Sequence, residues 1–90
     1  MNIEAFKKVG EAREQLEQEL TKLKQLNRFP ITDIDAAHTI WLNSANFDAD
    51  LEASVVFGGS MHSGERSMAL ANLYQNRLAY LRNLTEVAEF

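Results

Sequence analysis

The stretch 2–27, NIEAFKKVGEAREQLEQELTKLKQLN, decides the fold class. It holds no proline and one glycine, Gly10, and is rich in Glu, Gln, Lys, Leu and Ala, residues that lose little freedom in a helix. Phe6, Val9, Leu16, Leu20 and Leu23 recur at steps of three and four, with Arg13 in the one polar place of that seam. A helix with such a coiled-coil-like stripe needs a partner helix to cover it. Gly10 costs about 1 kcal/mol relative to alanine and weakens the first turns.

Arg28, Phe29 and Pro30 end this helix, because the residue before proline is pushed out of the α region and proline cannot continue the ladder. Thr32 or Asp33 is the expected cap of a second helix over about 33–44, with Asp33 and Asp35 complementing its dipole. Its apolar face takes Ile34, Ala37, Ile40 or Trp41, and Ala45. Residues 46–50 read as loop and cap. Leu51, Val55, Val56 and Phe57 then fit either a short helix or a short β-branched strand. Residues 58–64 read as the main loop, from which Ser63 caps a last helix over about 64–88. Its apolar side carries Leu70, Leu73, Tyr74, Leu81, Leu84 and Ala88, interrupted by Arg77.

These elements predict an all-α protein, a single domain over 1–90. Two long helices of about 25 residues, each about 38 Å, are expected to pack as an antiparallel hairpin with a short helical middle segment across them. Ninety residues bury only roughly 60–65% of the unfolded chain's surface. No cysteine is present, so neither a disulfide nor a thiolate metal site can supply the missing stability, and assembly into a homo-oligomer is expected.

The formal charge of −4 argues against a DNA or RNA polymer as partner, since such binding needs a broad basic surface. The lack of cysteine, of a charged-then-apolar leader and of any long apolar run points to the cytoplasm and away from a membrane. His38 and His62 have no second ligand at a metal-binding spacing, and Asp48, Asp50 and Glu52 lack the glycine and twelfth-position glutamate of a calcium loop. No phosphate loop, dinucleotide fingerprint or nucleophile elbow occurs. The expectation is a binding protein rather than an enzyme, with no catalytic residue, metal or cofactor assigned.

All nine lysines and arginines fall on the two long helices or their ends. Solvated faces with partners such as Glu4 to Lys8, and snorkelling by Arg13 and Arg77, account for this blandly. The sharper reading joins some of them to Phe6 or Tyr74 to bind a phosphorylated nucleotide. Arginine and lysine neutralise phosphate, an aromatic ring stacks on a base for ~1–3 kcal/mol, and Ser63, Ser67 and a helix start add anion-binding donors.

The stretch Ser63-Gly64-Glu65-Arg66-Ser67-Met68-Ala69-Leu70-Ala71-Asn72-Leu73, with Tyr80 downstream, resembles the opening of the second hairpin helix in phage anti-CBASS cyclic-nucleotide sponges. In that family small helical hairpins assemble into oligomers and sequester cyclic oligonucleotide messengers of bacterial immunity without cleaving them. The resemblance implies a cyclic di- or trinucleotide ligand, the host cytoplasm as the place of action, and Phe6 with Lys22 and Arg66 with Ser63 as ligand-binding residues. Phe6 stands where the family pattern has tyrosine, Gly64 where it has a basic residue, and the 29–62 connection is longer than the family's short turn. A second reading, from a different class, is a small phage or bacterial helical protein that docks onto a protein partner through its long helices.

Overall fold

The computed structural model describes residues 3–55 and 59–89 of the chain, and of residues 59–63 the backbone alone. It is all-helical, with α1 over Ile3–Gln25, α2 over Ile31–Ala53 and α3 over Gly59–Ala88. α1 carries Glu4 in its first turn and Lys22 and Lys24 in its last, the polarity that the helix dipole favours. It closes through long bonds, with Leu26 N–H donating to the Leu23 carbonyl and Asn27 N–H to that of Lys24, each at 3.4 Å. Asn27 has φ of 56°, the left-handed stop that asparagine tolerates better than most side chains. Pro30 then starts α2, its carbonyl accepting from Asp33 N–H at 3.0 Å and Ile34 N–H at 3.1 Å. Thr32 and Asp33 therefore lie inside the first turn and cap nothing, contrary to the sequence expectation.

The middle segment is no short piece. α2 runs 23 residues, about 35 Å by the standard rise, straight through the expected loop at 46–50. Two features hold it: Ala45, Ala49 and Ala53 are all buried at four-residue steps, and Asn46 Nδ2 donates back to the Leu42 carbonyl at 2.8 Å. The choice left open at 51–57 resolves to helix through Ala53 followed by a turn at 54–55; Val56 and Phe57 lie outside the described residues. α3 is also longer than expected, starting at Gly59 and not at Gly64. Ser63 is thus inside the helix and not at its cap, and its side chain lies outside the described residues.

A full-length α2 carries the chain back along the molecule, and this reverses one expectation about topology. Leu16 and Tyr74 border one cleft, while Leu20 and Leu23 border another with Leu81 and Leu84. Numbers therefore rise together along α1 and α3, and these two helices run parallel, not as an antiparallel hairpin. α2 runs against both: Ile34 meets the level of Leu81, Leu42 that of Tyr74, and Asp50 that of Arg66. The result is an up–down–up bundle of 48 × 22 × 16 Å in which α3 packs against both other helices while α1 and α2 touch sparsely.

The α1–α3 seam is heptad-spaced on both sides. α1 buries Ala5, Val9, Ala12, Leu16, Glu19 and Leu23; α3 buries Ser67, Ala71, Tyr74, Leu78, Leu81 and Thr85. Steps of four and three on two parallel helices are the pattern of knobs-into-holes packing. Compared with the sequence reading, α1 is turned by part of a residue step. Phe6 is 41% exposed, Arg13 is exposed, Leu20 is half-buried, and the small Ala5 and Ala12 take the contact with no exposure.

Candidate functional site

Of the four residues singled out for ligand binding, Phe6 and Lys22 do not converge within one protomer, and the side chain of Ser63 lies outside the described residues. Phe6 and Lys22 are exposed on the same helix, and sixteen positions separate them by about 24 Å along it and about 160° around it. Arg66 is already engaged: its Nε donates to Asp50 Oδ1 at 2.6 Å and its Nη2 to Asn46 Oδ1 at 2.9 Å. That guanidinium fastens α3 to the far half of α2, and its charge is answered by Asp50 within the chain. Lys22 forms no ion pair among the described residues.

The structure assembles a different cluster, around Arg77, which the sequence marks as an interruption of the apolar stripe and a snorkelling cation. Arg77 projects from α3 between two rings, its guanidinium carbon 4.8 Å from the centroid of Tyr80 and 5.7 Å from that of Trp41. Trp41 in turn lies tilted against Tyr74 at 5.5 Å and stacked with His38 at 6.1 Å. Arg77 Nε is buried and makes no hydrogen bond among the described residues; the ring faces on either side offer the electron density that a cation takes instead. His38 Nδ1 is likewise buried without a partner among those residues. Burial, with smaller contributions from the positive Arg77 and Lys24, lowers the His38 pKa from its ordinary 6.5 despite Glu17 and Asp35 nearby. His38 is therefore neutral at physiological pH.

Because α1 and α2 hardly meet, a groove runs between them with α3 as its floor. Its larger cleft, about 140 Å³, is lined by Leu20, Leu23, Ile34 and Leu81 together with Arg77 and Tyr80. A smaller one of about 60 Å³ lies between Arg13, Leu16, His38 and Tyr74. The larger volume matches a single small aromatic ring, well below the ~300–1,000 Å³ of ordinary ligand pockets. A cyclic dinucleotide fits inside neither of these two clefts. Among the described residues no group of three His, Cys, Asp or Glu side chains is placed to hold a metal, and no helix is long and apolar enough to cross a membrane.

The largest unexplained feature lies on the outside of α2. Ile40, Phe47 and Leu51 are 70%, 72% and 67% exposed. Their spacings of seven and four put them on one helix face, opposite the buried Ile34, Ala45 and Ala49. The sequence allows either Ile40 or Trp41 in the core; the structure turns Trp41 inward and Ile40 out. Reading 33–53 as one helix is the signal that would have shown the second face. The chain matches no protein-family model, no curated protein and no solved structure.

Proposed function

We propose that this protein works by docking without catalysis, burying the outer face of α2 against a protein surface. The observation that carries this reading is the row Ile40, Phe47 and Leu51, exposed on a helix whose other face is already core. A surface helix normally turns charged and polar residues to water, and a contiguous apolar patch is the usual mark of an interaction site. The test is a photo-reactive amino acid at position 47 in producing cells. Discrete protein adducts are expected there, and none from the same residue at the exposed position 83; a position 47 that cross-links no protein rejects the reading.

A second reading rests on Phe6 and Lys22, which are both exposed and whose separation on α1 lets them serve different copies. In this reading an oligomer in the host cytoplasm sequesters a cyclic oligonucleotide, intact, between subunits, with Lys22 on a phosphate and Phe6 stacked on a base. Arg66 and Ser63 would complete a second such site, at the cost of the Arg66–Asp50 pair. Calorimetry with cyclic di- and trinucleotides tests it. Lys22→Ala should fold normally and lose roughly 1.5–3 kcal/mol of affinity, and ligand recovered from the denatured complex should be uncleaved. Absence of heat with every such ligand removes this reading.

A further inference from the structure

Resting on the docking reading, we propose that the occupant of the α2 face is a second copy of this chain, laid antiparallel about a two-fold axis between Ser44 and Phe47. The exposed stripe is Ala36, Ile40, Ser44, Phe47 and Leu51 on α2, continued by Val55 in the turn that follows the helix, all facing water in the protomer. Its steps of four, four, three, four and four read the same in both directions. Such a stripe can meet itself, which is the requirement of an isologous interface. Turned about its midpoint, it sets Phe47 level with Ser44 of the other copy, Leu51 with Ile40 and Val55 with Ala36. The bulky Phe47 and Val55 thus meet small residues, so that the surfaces interdigitate.

Charge is compatible with this register. α2 carries Asp33, Asp35, Asp48, Asp50 and Glu52 and no lysine or arginine, so like-charge repulsion is the obstacle to pairing two copies. The stripe itself is free of charge. Lys24 Nζ lies 2.6 Å from Asp35 and Arg66 Nε 2.6 Å from Asp50, so two of the five carboxylates are answered within the protomer. In the proposed register Asp48 is level with Asn43 of the other copy, Asp50 with Trp41 and Glu52 with Thr39, and no carboxylate of α2 is level with another.

The cysteine-free chain makes the test clean. Light scattering of the intact protein at micromolar concentration should give a dimer, and Phe47→Asp and Leu51→Asp should each give a monomer with an unchanged far-ultraviolet circular dichroism spectrum. A short thiol-bridging reagent should join Ser44→Cys into a covalent dimer. It should not join Ser54→Cys, which the register places about 25 Å from its own copy along the helix. Bridging of both variants overturns the antiparallel arrangement. A monomeric wild type that binds an apolar dye, with that binding lost in Phe47→Asp, overturns the second copy as occupant and leaves docking to a foreign protein standing. A dimer untouched by either aspartate overturns the proposal and the use of the α2 face together.

Discussion

Replacing Ala12 by leucine tests the rotation of α1, on which the parallel seam depends. Ala12 has no exposed surface and belongs to the buried cluster with Val9, Leu16, Tyr74 and Leu78. A branched side chain there has nowhere to go without pushing α1 away from α3, and overpacking of this kind costs about 1–3 kcal/mol. In a domain of this size each kcal/mol moves the melting midpoint by about 4–8 °C, so Ala12→Leu should melt roughly 4–24 °C lower. The neighbouring Arg13 is exposed, and Arg13→Leu should change stability by no more than about 0.5 kcal/mol. Urea and thermal unfolding of both variants, at one fixed protein concentration so that any self-association is held constant, give the comparison. If Arg13→Leu stabilises the protein while Ala12→Leu is silent, α1 presents the Phe6, Arg13 and Leu20 side to α3 and the seam described above is wrong.

Leu16→Ala, at a position only 1% exposed, should lose about 2–5 kcal/mol by chemical denaturation, and Leu20→Ala, which is half-buried, clearly less. The lowered His38 pKa makes a signed prediction about pH. Below 6.5 the unfolded chain takes up a proton at His38 that the folded chain resists, so this contribution is present above pH 6.5 and is lost as the pH falls toward the folded value. Melting between pH 7.5 and 5.5 should therefore be steeper in wild type than in His38→Gln, and parallel curves would refute it. Arg66→Ala should cost no more than about 1 kcal/mol, since its partner Asp50 is exposed and such pairs are weak; a larger loss in thermal unfolding would assign the Asn46 bond a greater part than the ion pair.

The helical class and the existence of α1 and α3 were legible because leucines recur at helical spacing over more than twenty residues. The rotation of α1 was not, because the reading ranked positions by hydrophobic size. Ala5 and Ala12 show the opposite preference: where two helices approach closely, the smallest residues sit deepest, and the larger Phe6 is left outside. The carboxylate of Glu19, buried in the seam with Arg82 Nε 4.0 Å away, is invisible to any hydrophobic pattern. At 46–50 the asparagine and aspartates favour turns locally, yet Ala45, Ala49 and Ala53 pack against the bundle and carry the helix through. Missing that length also hid the parallel order of α1 and α3. For the site, residue types pointed to cations and aromatics, but which cation meets which ring is set by the bundle. Arg77 between Trp41 and Tyr80 depends on contacts between α2 and α3 that no local spacing encodes.

The central position of α3 also means that α1 and α2 each depend on it and hardly on each other, so either can detach while the other stays packed. α2 ends at Ala53 and α3 begins at Gly59, and Arg66 reaches Asp50 across only 16 positions. α1 reaches α3 at Glu19 and Arg82 across a loop about fourfold longer, which adds roughly 1 kcal/mol of closure entropy. Closure entropy thus favours the α2–α3 pairing, whereas the α1–α3 seam is the more extensive contact of the folded bundle. α2, held by the smaller contact, should therefore be the first helix to detach, and slow amide exchange should persist in α1 and α3 after the amides of α2 have exchanged.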